Sequence, residues 1–290
     1  PSFGSAGTVA KNLGTKALNA FEFEGCNVSF PMLLGLMAIG VIIPRINQAK
    51  DKYDREEILR RDLVTCATMC FGEKILQKGF VLNADDVGLG KTIQTIGTIK
   101  WFIENKSIHK ILIICKKSIK KQWLDEIVKF TDLDQVFTMT KTGTTPAQRK
   151  KAYKAFEDAQ DGILVTNYHT FLNDTALFQQ MDIDFVVIDE VHSVKARTGK
   201  LNNNIGKITY GNPTVFLTGT PIMSKPEDIF GIIQMVQPIY LGIWKDFSDK
   251  FVTIDKNGMF GYRVVGAKNL DELRSLVQDI VIRRTEYEVS

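Results

Sequence analysis

Apolar residues fall along this chain in two rhythms that take turns. Short unbroken runs occur at Phe80-Val81-Leu82, Ile111-Leu112-Ile113-Ile114-Cys115, Ile163-Leu164-Val165 and Phe185-Val186-Val187-Ile188, and Thr214 leads into another at Val215-Phe216-Leu217. They have the length of strands covered on both faces, since a strand with one wet face would alternate apolar and polar. Between the runs, apolar residues step by three and four: Ile93, Ile96 and Ile99, then Trp123, Ile127 and Phe130. Ile229, Phe230, Ile232, Met235, Val236, Trp244, Phe247 and Phe251 continue that spacing, which lines one face of a helix. Strands separated by helices imply parallel pairing, because a parallel crossover needs a connection long enough to hold a helix. The fold class predicted is therefore α/β, a central and mostly parallel sheet flanked by helices.

The N-terminal part reads differently. Residues 1–20 mix Gly, Ser, Thr, Ala and Lys without period, as a loose tail would. Pro31 and Pro44 then enclose MLLGLMAIGVII, an apolar stretch too short to span a bilayer and better suited to a buried helix or a docking surface. Ile58, Leu59, Leu63, Cys66, Cys70, Ile75 and Leu76 have helical spacing and lead into the first strand. The expected division is a tail and apolar helical extension over 1–55 and an α/β lobe over 56–290. Within the lobe, 141–154 reads as a turn and an exposed helix, and Asn257-Gly258 is a hairpin signal.

Composition changes this picture little. The 290 residues are 44% hydrophobic and 24% charged, as in ordinary α/β proteins. The net charge of +4 fits nucleic-acid contact and equally fits a basic solvated surface. Cys26, Cys66, Cys70 and Cys115 lack metal-ligand spacing and read as reduced thiols of an intracellular protein. No membrane partner is expected.

Two strand ends carry the candidate chemistry. After Phe80-Val81-Leu82 comes Asn83-Ala84-Asp85-Asp86-Val87-Gly88-Leu89-Gly90-Lys91-Thr92, opening the helix of Ile93, Ile96 and Ile99. A glycine loop at a helix N-terminus offers bare N–H groups to a polyphosphate. Lys91 would reach the terminal phosphates and Thr92 would ligate magnesium. The general pattern has a glycine where Asp85 stands. The second strand end is Asp189-Glu190 after Phe185–Ile188, where Asp189 would hold magnesium and Glu190 would deprotonate the attacking water.

With both sites in hand, the chain resembles the Swi/Snf-type ATPases of helicase superfamily two, DNA-dependent motors whose first motif is similar to Asp85–Thr95 here, including the aspartate. The resemblance covers Leu63 to the end. It implies a RecA-like P-loop lobe with ATP and Mg2+ as cofactors, bound by Asp86, Gly88, Leu89, Gly90, Lys91, Thr92 and Ile93. It implies that Lys116, Lys117, Ser118, Thr166 and Asn167 touch duplex DNA, with Lys116 at a position usually held by proline. His192 with Thr218-Gly219-Thr220 would couple nucleotide state to movement. The family's adenine-reading glutamine has no counterpart near Thr65. Residues Val252–Leu273 resemble the annealing-helicase subgroup, and Ile282-Arg283-Arg284-Thr285 resembles the end of the first lobe. A second RecA-like lobe, which in the family supplies an arginine finger, is the implied partner, so this chain alone is expected to turn ATP over slowly. Two alternatives remain: a nucleotide-switched DNA-binding scaffold without turnover, and an RNA-directed helicase of the same superfamily.

Overall fold

The structure is a computed structural model that describes residues 71–104, 108–130, 136–138, 145–194, 196–219, 225–255 and 263–284. The expected tail and apolar extension over 1–55, Thr65, Cys26, Cys66, Cys70 and Thr220 lie outside those residues.

A helix whose described part is 71–78 leads into β1 (Phe80–Asn83), the glycine loop and α1 (Lys91–Glu104). Next come β2 (Lys110–Cys115), a 3-10 turn (Lys117–Ile119), α2 (Lys120–Phe130), β3 (Val136–Thr138), α3 (Pro146–Asp158) and β4 (Gly162–Asn167). Short helices α4 (Tyr168–Asn173) and α5 (Thr175–Phe178) precede β5 (Phe185–Ile188), a 3-10 turn (Val191–Ser193), α6 (Lys200–Thr209) and β6 (Thr214–Leu217). The described chain ends with α7 (Pro226–Val236), α8 (Trp244–Phe251), β7 (Val252–Asp255), β8 (Arg263–Ala267), α9 (Leu270–Val277) and β9 (Val281–Ile282).

The main sheet has seven strands in the order β3-β4-β2-β5-β6-β1-β9, and every neighbouring pair is parallel. β7 and β8 form a separate antiparallel pair where the hairpin was expected, with the Asn257-Gly258 turn itself outside the described residues. Successive residues of each strand point to opposite faces, so the unbroken apolar runs divide between two cores. Phe80, Leu82, Leu112, Ile114, Leu164, Val186, Ile188 and Phe216 pack against α3 to α9. Val81, Ile111, Ile113, Cys115, Ile163, Val165, Val187, Val215 and Leu217 pack against α1, α2 and the helix at 71–78. Covering both faces is what obliges the strands to be apolar throughout.

This strand order places the site. β5, β6 and β1 are adjacent, so the turns leaving Ile188, Leu217 and Asn83 open side by side at one edge of the sheet. β2 lies on the far side of β5 and brings the segment after Cys115 to the same edge.

Candidate nucleotide site

The loop after β1 is shaped by glycine and tied down by side chains. Gly88 and Gly90 have φ of +94° and +73°, a region that L side chains rarely adopt, although nothing crowds a Cβ at either position. The need is conformational. Asn83 accepts from the Asp85 N–H at 2.9 Å and donates to Gln94 Oε1 at 3.1 Å, and Gln94 donates to the Leu89 carbonyl at 2.6 Å. Lys91 folds its ammonium onto the loop, donating to the Asp85 and Asp86 carbonyls at 2.8 and 2.9 Å. Burial pulls this ammonium below the ordinary lysine range, while Asp85, Glu190, Asp189 and Asp86 pull the other way. A lysine held by two carbonyls among four carboxylates is poised to exchange them for phosphate oxygens.

The resemblance left Asp85 unexplained; the fold accounts for it. Its carboxylate is fully buried and is gripped by Arg284, whose backbone N–H donates at 2.8 Å and whose guanidinium donates to both oxygens. Arg284 also donates to Gln94 Oε1 at 2.8 Å, and Arg283 donates to Asp86 at 3.0 Å and to the Ala84 carbonyl at 3.1 Å. β9 pairs with β1, and the Ala84 and Asp86 N–H groups continue the ladder to Ile282 and Arg284. The phosphate loop is thus braced by residues some two hundred positions later.

Asp189 is 9% exposed. Its Oδ2 accepts from Trp123 Nε1 at 2.7 Å, and Tyr168 donates its hydroxyl to the Asp189 carbonyl. Burial pushes the Asp189 carboxyl up and the Glu190 charge adds to that, against the Trp123 hydrogen bond and the Lys91 charge. Trp123 read as core in the sequence. It is core, at 1% exposed, but its single polar atom holds this carboxylate. A solitary tryptophan on a strand-following helix gives no sequence signal for that role.

Glu190 has φ of 55° and ψ of 48°, left-handed for a residue with no glycine freedom. Its Oε2 is buried, accepts no hydrogen bond and lies 3.0 Å from His192 Nδ1. His192 also faces Lys116 Nζ from Nε2 at 3.3 Å and Thr218 Oγ1 from Nδ1 at 3.5 Å. A Cβ built on Gly219 would come within 2.9 Å of Val87 Cγ2, so the turn after β6 lies directly on the phosphate loop. The site residues expected from two distant strand ends are therefore brought together with His192, Thr218 and Gly219.

The five residues expected to touch DNA separate. Lys117 and Ser118 are exposed on the 3-10 turn after β2. Lys116 turns inward to His192. Thr166 is 1% exposed, buried in β4 and closed to a DNA strand as it stands. Asn167 caps α4, accepting from the Thr170 N–H at 3.0 Å.

Among the described residues, no group of three or more His, Cys, Asp or Glu could hold a metal ion. One carboxylate, Asp189, and one hydroxyl, Thr92, are what magnesium takes from a protein when phosphates and water complete its shell. The donor set fits. No helix of the described residues is long and apolar enough to cross a membrane.

A family profile described as SNF2-related domain matches residues 63–290. The chain is 30% identical over 222 residues to the DNA annealing helicase and endonuclease ZRANB3 of Mus musculus, covering 73% of this chain and 20% of that protein. It is 27% identical over 224 residues to the Mus musculus DNA excision repair protein ERCC-6-like, covering 73% of this chain and 18% of that protein. The Sulfolobus solfataricus SWI2/SNF2 ATPase core in complex with dsDNA superposes with a TM-score of 0.64 at 27% identity, over 79% of this chain and 45% of that one. The chain thus spans about a fifth of the length of these curated relatives.

Proposed function

This chain belongs to the SNF2-related family, and on that premise we propose that it is the nucleotide-binding RecA-like lobe of a DNA-dependent ATPase acting on duplex DNA. The observation that carries the reading is the meeting, at the ends of β1, β5 and β6, of a glycine loop with Lys91, the Asp189-Glu190 pair, and Thr218-Gly219.

Asp86 to Ile93 would cradle the triphosphate of ATP, with Lys91 leaving the loop carbonyls for phosphate oxygens. Thr92 and Asp189 would hold Mg2+, which supplies charge neutralisation at the phosphates when bound. Trp123 keeps Asp189 aimed, and Glu190 would take the proton of the attacking water. Arg283 and Arg284, the arginines that touch the loop, are occupied by Asp86 and Asp85. A cation for the transition state would then come from a second RecA-like lobe closing over the strand ends. Lys117 and Ser118 are the residues offered to DNA phosphates, which are read by charge. The lobe would cover 56–290, behind an extension over 1–55.

The test is ATP turnover by the full-length protein with and without duplex DNA. Duplex DNA is expected to stimulate it strongly, and Glu190→Gln to abolish turnover while nucleotide binding persists. Unchanged turnover in Glu190→Gln would sink the assignment. Stimulation by RNA but not duplex DNA would move the protein to the RNA-directed branch.

A further inference from the structure

Lys116 follows β2 at the mouth of the site, and its neighbours Lys117 and Ser118 are exposed while it is not. Its ammonium lies 3.3 Å from His192 Nε2. An ammonium carries donors only, so the nitrogen it faces must present its lone pair. The proton of His192 is thereby confined to Nδ1, the nitrogen 3.0 Å from Glu190 Oε2 and 3.5 Å from Thr218 Oγ1. Glu190 needs such a neighbour. Its Oε2 is buried and accepts no hydrogen bond, and its backbone is left-handed, so the imidazole 3.0 Å away is the neighbour that bears on where the carboxylate points.

We infer that Lys116 is a positioning residue for Glu190: by presenting a cation to Nε2 it locks His192 in the Nδ1–H form, which puts the positive end of the ring dipole 3.0 Å from Glu190 Oε2 as an electrostatic contact rather than a hydrogen bond and leaves Oε1 for the water. The inference rests on the ATPase reading above and deepens it.

The molecule has three histidines, His109, His169 and His192, so its imidazoles can be assigned one by one. In long-range 15N spectra of the 290-residue chain, His192 is expected as the Nδ1–H tautomer, shifting to a tautomer mixture in Lys116→Met. In the full-length protein at saturating duplex DNA, Lys116→Met is expected to lower kcat about tenfold with the KM for ATP within about twofold. Lys116→Arg, which keeps a donor-only cation, is expected to recover most of the loss. If His192 keeps its tautomer in Lys116→Met, the lock does not exist. If Lys116→Met only raises the DNA requirement, Lys116 is a DNA ligand and the inference falls. Absent turnover in the unaltered protein would refute the ATPase reading instead, while the spectra still decide whether Lys116 sets the His192 tautomer.

Discussion

Arg284→Met removes the guanidinium from a carboxylate that has no access to water. Asp85 is fully buried and the Arg284 side chain is 27% exposed, so the pair is nearer to a buried ion pair than to a surface one. Taking one partner from a buried pair costs about 3–5 kcal/mol, because the other charge is left uncompensated. The backbone N–H of Arg284 still donates to Asp85 Oδ1 at 2.8 Å in the variant, which argues for the lower end. A loss of about 3 kcal/mol would move the melting temperature of a domain this size down by about 6–12 °C. Urea unfolding followed by far-UV circular dichroism measures the free energy, and a cycle with Asp85→Asn isolates the pair. The double variant should be more stable than Arg284→Met alone, since an amide tolerates burial where an unpaired carboxylate does not. A loss below about 1 kcal/mol, as for an exposed pair, or a double variant whose loss equals the sum, would refute the brace.

Three further outcomes follow from the described contacts. Trp123→Phe deletes the donor to Asp189 Oδ2 at 2.7 Å and is expected to raise the Mg2+ concentration needed for nucleotide binding, read by titrating a fluorescent ATP analogue at increasing Mg2+. Lys91→Met is expected to lose nucleotide binding at least about tenfold yet melt no lower than the parent, since it relieves a buried ammonium; a melting temperature several degrees lower would show that the carbonyl contacts are structural. Asp174 accepts from Arg149 at 2.6 and 2.9 Å and from Tyr153 at 2.8 Å; burial pushes its carboxyl up, but these donors outweigh it and leave the group below the usual aspartate range. Its contribution is therefore present above the ordinary aspartate pKa and lost as pH falls through the lower folded value, so the melting-temperature gap between parent and Asp174→Asn should close on acidification.

What the sequence discloses depends on whether a feature is local. Ile111–Cys115 and Phe185–Ile188 are legible as strands because burial on both faces makes them apolar without interruption, and Gly88-Leu89-Gly90-Lys91 is legible because its chemistry is contiguous. β9 is two residues long and pairs with β1 across the whole lobe, so no window of sequence shows it. Arg284 finding Asp85 is the same kind of fact. Trp123 looks like any core aromatic, since the role lies in one N–H at its edge. Lys116 sits in a row of lysines that reads as one basic face, and only the path of the chain after Cys115 turns it inward while Lys117 and Ser118 stay out. Asn167 enters the sequence reading as a DNA contact, and the fold shows it capping α4.

The position of β1 between β6 and β9 has a consequence for how the protein is made. Neither neighbour leaves the ribosome until long after Phe80–Asn83; at about 5–20 residues per second, the wait for β6 is on the order of ten seconds. During that interval the chain carries every residue of its glycine loop with no sheet to hang it on, and an apolar strand with two open edges. Birth order and assembly order run opposite here: the loop that is translated first is finished last. A nascent chain stalled before Thr214 is thus an aggregation hazard and a natural client for chaperones, whatever its sequence says about binding nucleotide.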